Sequence, residues 1–172
     1  MLTMAFGVSA QDKKVAIASA SASASQSGEE ARYAVDGDYS TMWHSPYSGT
    51  SFPVRLTVKL KEVSVVDYVK YVPRCDGNQN GNWIKVKVSY SPKTTGSTFK
   101  EVGEYQPNGT STATDFDLGG VECGQIRFDI SGGYFNVASA AEIEVYQIDN
   151  TKREAFATYF ADELFTELKP EV

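Results

Sequence analysis

The chain has 172 residues and a formal net charge of −6, a length that allows one domain with a real core plus short appendages. Ten Tyr, nine Phe and two Trp, with abundant Gly and β-branched residues and scarce Leu, favour an all-β sandwich or barrel over a helical bundle. The acidic balance and the lack of a basic cluster argue against nucleic acid and against an anionic lipid surface as partners.

Residues 1–8 are mostly apolar, and Val8-Ser9-Ala10 looks like a small-residue cleavage site ahead of the polar 11–14 segment. Residues 1–10 therefore read as the remnant of an export signal, too short to span a bilayer; a packed or disordered N-terminal strand is the competing reading. Residues 16–25 alternate Ala or Ile with Ser, which suits a strand with small side chains tucked against a neighbour, or a flexible Ser-rich linker.

Residues 34–45, AVDGDYSTMWHS, set Asp36, Asp38 and Thr41 within six residues, followed by Trp43. Short oxygen-bearing side chains in a Gly-containing turn can converge on a hard cation such as calcium, although Asp-Gly-Asp favours a turn with or without metal. An EF-hand is excluded: counting from Asp36, the sixth position is Thr41 rather than Gly and the twelfth is Tyr47 rather than Glu. Trp43 is assigned to the core beneath this loop.

Alternating apolar and polar residues then predict strands at 54–60, 66–72 and 84–90, weaker ones at 99–104 and 112–118, and stronger ones at 125–130 and 141–148. Gly, Pro, Asn and Ser fill the gaps. Strands at this spacing with no helix between them indicate an antiparallel β-sandwich. Beyond residue 150 the pattern changes. Thr151 to Glu154 matches a capping box, and Phe156, Phe160, Leu164 and Leu168 recur every four residues up to Pro170. This predicts a short C-terminal helix, read as a linker and the start of a further domain.

No HExxH, Gly-x-Ser-x-Gly, phosphate loop or Cys-x-x-Cys is present, and one His with scattered Ser makes no evident base–nucleophile pair. Glu29-Glu30 reads as a solvated acidic turn rather than a glycosidase pair. Cys75 and Cys123 fit an exported protein, and their spacing leaves both a disulfide and two free thiols open.

Five segments in order, AVDGDYSTMWHS, VRLTVKL, YVPRCDGNQNGNWIKVKVSYS, QIRFDISGG and ASAAEIEVYQ, resemble the factor V/VIII type C (discoidin) superfamily. They are most similar to its family 32 carbohydrate-binding modules, over about residues 15–148. The resemblance implies a jelly-roll sandwich over residues 11–149, of the galactose-binding-domain type, with a structural calcium and sugar-reading loops. Carried over position by position, the calcium ligands would be the Tyr33 carbonyl, Asp36, Asp38, Thr41, the Ala141 carbonyl and Glu142. The sugar site would comprise Arg74 and Asn80, with Asn78 and Asn82 as register alternatives, and Tyr134 and Phe135 as the stacking aromatics. His44 stands directly against Trp43, where many relatives place the sugar-binding His farther along, so Tyr47 or Ser48 could take its part; a His packed beside the acidic loop is the competing reading. Trp83 either stacks on a ligand or caps the sandwich. The topology that the resemblance implies sets Cys75 and Cys123 towards opposite ends, which predicts free thiols.

The resemblance implies a non-catalytic, secreted or cell-surface bacterial module. It would be monomeric and covalently joined to a catalytic domain, and would target terminal galactose or N-acetylhexosamine of host-type glycans. The tail at 159–172 faintly resembles the region that follows such a module in enhancin-like, mucin-degrading metallopeptidases. A discoidin-type adhesion or protein-binding domain is the alternative, with Tyr47, Phe52, Tyr134 and Phe135 as apolar spikes.

Overall fold

The computed structural model describes residues 12–149, and the sheet and site lie in its compact unit Lys14–Gln147. The expected export remnant and the C-terminal helix fall outside the described residues. The strands are β1 (Lys13–Lys14), β2 (Ile17–Ala22), β3 (Trp43–His44), β4 (Val54–Val72), β5 (Trp83–Ser91), β6 (Lys100–Tyr105), β7 (Thr114–Gly133), β8 (Ser139–Ala140) and β9 (Glu142–Gln147). Among the described residues there is no long helix, only short 3-10 turns at Ala31–Ala34 and Tyr134–Asn136. The fold is the antiparallel sandwich that the strand spacing predicted, in the jelly-roll form that the resemblance implied.

Two long strands build it. β4 and β7 pair antiparallel from Val54↔Ile130 to Tyr71↔Thr114, with register shifts between Lys59 and Ser64 and between Val66 and Tyr68. The first half of β4 also pairs with β2, and the second half with β9. The chain order across the sheet is thus β9-β4-β7-β5-β6, with β2 added on β4 and Lys14 of β1 bordering β9. The expected strands at 54–60 and 66–72 are one continuous strand, as are those at 112–118 and 125–130. The bulges explain why they read as separate. Val54, Leu56, Val58 and Leu60 face inward, and so do Val66, Val69 and Tyr71, so the period-two phase slips between Val66 and Val69 where the register shifts.

The core is aromatic. Trp83 stacks on Tyr71 at 3.9 Å between ring centroids and lies 5.3 Å from Phe128, which in turn lies 6.2 Å from Phe116. All four are fully buried. Trp83 therefore belongs to the core and touches no ligand surface. Trp43 is likewise fully buried, with its indole N–H donating to the Ala24 carbonyl and to Ser25 Oγ. Cys123 is buried and Cys75 exposed, both free, and burial pushes the Cys123 thiol up to about 12.

Candidate functional site

Loops at 44–47, 74–80 and 134–137 surround a cavity of about 360 Å³ lined by His44, Tyr47, Arg74, Asn78, Asn80, Phe135 and Val137. The short β3–β8 ladder sets one wall, pairing His44 with Ser139. Ser45 reinforces it: its amide donates to the Ala138 carbonyl at 2.7 Å and its hydroxyl accepts from the Ala138 amide at 2.8 Å. The loop that carries Arg74 and the asparagines is fastened to the same wall through Gly81. Gly81 has φ +89, its amide donates to Tyr134 O, and its carbonyl accepts from the Ser139 amide. A Cβ on Gly81 would lie 2.6 Å from Ser139 Oγ, so both the positive φ and the close approach demand glycine.

Arg74 is the cation of the cavity. Its side chain is 12% exposed. Nε donates to Asp76 Oδ1 at 2.8 Å, Nη2 to Asp76 Oδ2 at 2.5 Å and Nη1 to the Asn80 carbonyl at 3.1 Å. The guanidinium is thereby held rigidly, with an N–H left over on each terminal nitrogen. The Arg74 hydrogen bonds, against a smaller burial effect, hold the Asp76 carboxyl down at about 2. His44 is 2% exposed, and its Nδ1 faces the Ser45 carbonyl at 2.5 Å. A carbonyl can only accept, so Nδ1 carries the proton and Nε2 of the neutral ring is an acceptor. Tyr47 meets His44 edge-on at 4.9 Å, and its hydroxyl donates to Glu29 Oε1 at 2.8 Å. Opposite these polar groups stands Phe135, 77% exposed, with φ 56 and ψ 29. An aromatic residue held left-handed and in solvent is backbone strain at a surface that buries nothing of its own.

The structure brings Arg74, Asn80, Phe135, Tyr47 and His44 to one cavity. Asn78 also lines the cavity, whereas Asn82 does not: it is fully buried and its amide donates to the Thr110 carbonyl. Tyr134 is a correction. Its ring stays 6.4 Å from that of Phe135 between centroids, but it packs over Gly109, where a Cβ would lie 2.1 Å from its Cε2, and it does not line the cavity. It is a brace behind the loop rather than a lining residue. Sequence reasoning missed Val137 and the supporting carboxylates. Asp76, two residues after Arg74, was the available signal, and Glu29 is a hydrogen-bonded partner of Tyr47 rather than a freely solvated turn residue.

The acidic loop and the last strand also meet. The Gly37 amide donates to Glu142 Oε1 at 2.9 Å. Asp36 accepts from the Asp38 amide and from Thr41 Oγ1, both at 2.9 Å, while Asp38 Oδ1 accepts from the amide and hydroxyl of Ser40. Glu142 is 2% exposed. Burial, with the Asp36 and Glu144 charges adding to it, pushes its carboxyl up against the Gly37 hydrogen bond. The neighbouring Glu144 is lowered: burial acts upward, but hydrogen bonds from Lys14, Tyr39 and Tyr146 outweigh it. A buried carboxylate facing a second one, with hydroxyl and carbonyl oxygens near, is donor chemistry that fits a hard divalent cation. The described residues gather no set of three or more His, Cys, Asp or Glu side chains that could hold a metal; the Asp36 charge is felt at Glu142, and Asp38 hydrogen-bonds within the turn to Ser40.

The F5/8 type C domain profile matches residues 17–143. A 62-residue stretch, 34% of the chain, is 40% identical to a galactose oxidase of Gibberella zeae and spans 9% of that protein. The fold superposes with a TM-score of 0.72 on the family 32 carbohydrate-binding module of Clostridium perfringens NanJ solved with galactose, at 24% identity, covering 80% of this chain and 100% of that one. The module CpGH89CBM32-5 of the same organism, solved with GalNAc-β-1,3-galactose, gives a TM-score of 0.69 at 24% identity, over 74% of this chain and 94% of the other. With that profile running from β2 into β9, the chain belongs to the F5/8 type C domain family.

Proposed function

We propose that this domain is a non-catalytic, calcium-stabilised carbohydrate-binding module. It would hold an attached secreted enzyme on terminal galactose or N-acetylhexosamine residues of host-type glycans. The observation that carries the reading is the cavity itself: a pinned guanidinium, two amides and an imidazole acceptor facing one exposed aromatic ring. Vicinal sugar hydroxyls both donate and accept. The free N–H groups of Arg74 and the amides of Asn78 and Asn80 match their oxygens, and His44 Nε2 matches a hydroxyl hydrogen. The C–H face of a galactose-type sugar matches the Phe135 ring. Likeness in fold to a module solved with galactose supports this, and the share of a galactose oxidase that the chain matches supports attachment to an enzyme. Affinity per site is expected to be weak, because a shallow cavity trades hydroxyl–water for hydroxyl–protein hydrogen bonds; several sites on one glycan surface would compensate.

Calorimetric titration with galactose and N-acetylgalactosamine tests the reading, with Phe135→Gly as the discriminating variant. Glycine relieves the left-handed strain, so the melting temperature should hold or rise, by the equivalent of about 1 kcal/mol. Loss of the stacking surface should weaken sugar binding about tenfold. A wild-type chain that binds neither sugar, or binds only a protein, would refute the proposal.

Asp36, Thr41 and Glu142, with the carbonyls of Tyr33 and Ala141, would hold the calcium, which would neutralise the Asp36–Glu142 repulsion and tie the acidic loop to β9. At a calcium concentration about 100-fold above its Kd the stabilisation is about 2.7 kcal/mol. Chelation should then lower the melting temperature by roughly 5–10 °C, read by scanning calorimetry. An unchanged transition would remove calcium from the account and leave the sugar site standing.

A further inference from the structure

The charge arrangement around Arg74 says more about the ligand than its hydrogen-bonding capacity does. Arg74 is the cation among the lining residues. A free guanidinium in a cavity would be a receptor for carboxylate or sulfate. Here one bidentate edge is already occupied, since Nε and Nη2 both donate to the two oxygens of Asp76, so a second anion reaching the N–H groups left on Nη1 and Nη2 would share a guanidinium whose charge Asp76 already balances. A second carboxylate stands nearby. Glu29 accepts from the Tyr47 hydroxyl on the cavity rim, and its charge is felt at Arg74. One Glu29 oxygen, Oε2, is buried without a hydrogen-bond partner. One cation thus faces two carboxylates, and the N–H groups left on Arg74 act as fixed neutral-type donors within a site of net negative charge.

Resting on the glycan reading above, we infer that the cavity accepts uncharged sugars and rejects those bearing a carboxylate or sulfate, with Asp76 as the main specificity-determining residue and Glu29 as its second. An anionic sugar would have to displace Asp76 from the guanidinium or sit against two like charges. The terminal galactose-type unit recognised is then one not oxidised at its terminal carbon and not capped by an acidic sugar. Because the Asp76 carboxyl is held down at about 2, the discrimination persists across mildly acidic pH.

The test is titration of the full chain with galactose and with galacturonate, which differ at a single carbon. Wild-type protein at low salt should prefer galactose by roughly tenfold or more, and the gap should narrow in 1 M salt as screening shortens the reach of the like charges to about 3 Å. Asp76→Asn keeps an acceptor for Nε–H and should shift the ratio towards galacturonate by about fivefold or more. Glu29→Gln keeps the acceptor for the Tyr47 hydroxyl and should move it in the same direction by less, so the inference stays testable if the Asp76 variant misfolds. Equal wild-type affinities, or a ratio unmoved in both variants, would overturn the selectivity while leaving the sugar site intact. No binding of either sugar to the wild type would overturn both.

Discussion

Arg74→Ala should lower galactose affinity by about 100-fold or more, which for a shallow site means loss of measurable binding. The side chain supplies the charged donors of the cavity, and hydrogen bonds to a charged group contribute about 1.5–3 kcal/mol each. The fold should barely register the change. Asp76 is 46% exposed at its side chain, and the loop keeps its other fastenings, with Ser139 Oγ donating to the Asn80 carbonyl at 3.1 Å and the Gly81 amide donating to Tyr134 O at 3.0 Å. A pair this open to water contributes at most about 1 kcal/mol. The melting temperature should therefore stay within a few degrees of wild type. Titration and thermal melting of one preparation decide the matter: unchanged affinity removes Arg74 from the site, and loss of both readouts makes it a structural residue.

Trp83→Ala should do the reverse and be the most damaging single change in the fold. The indole is fully buried, sandwiched against Tyr71 and within contact range of Phe128. Truncating it leaves a cavity between the two halves of the sandwich and should cost about 3–5 kcal/mol. The Trp83 amide also donates to the Tyr71 hydroxyl at 3.2 Å, a bond the substitution keeps. The indole N–H, by contrast, is buried without a partner. Trp83→Phe removes that orphaned donor along with some volume, so its cost should fall well below that of alanine, about 1 kcal/mol. Denaturant unfolding of both variants checks this; equal costs would mean that the indole N–H is satisfied or that volume alone governs the site.

Most strands were legible because period-two alternation survives wherever a strand is half-buried, as along Val54 to Leu60 and Trp83 to Ser91. Continuity was not legible. Gly119 and Gly120, with φ 77 and 74, lie inside β7 and read as a strand ending, because positive-φ glycines serve bulges and turns alike. The phase slip after Val66 hid the unity of β4 in the same way. At the site, a chain position in a loop indicates neighbourhood but not direction. Arg74, Asn80, His44, Tyr47 and Phe135 converge on one cavity. Tyr134 does not, because its ring is taken up against Gly109, a residue twenty-five positions earlier in the chain that no local pattern ties to it. Nor could spacing distinguish Asn80, in the cavity, from Asn82, buried just past Gly81. The pairing of Glu29 with Tyr47 joins residues eighteen positions apart through tertiary structure, with no sequence signature.

The pairing of β4 with β7 from Val54↔Ile130 to Tyr71↔Thr114 also bears on kinetics. On the proposed reading, the loops that would hold a sugar are borne by this continuous pair of strands, which supplies no hinge for closing over a ligand. Without a closing step, encounter should approach ordinary protein rates, about 10⁵–10⁷ M⁻¹s⁻¹ or faster for a small ligand, and weak affinity must then express itself as rapid escape, with residence times on the order of milliseconds or less. If the proposed function holds, a domain of this build would let an attached partner skip from one glycan end to the next, near the surface and never parked on it.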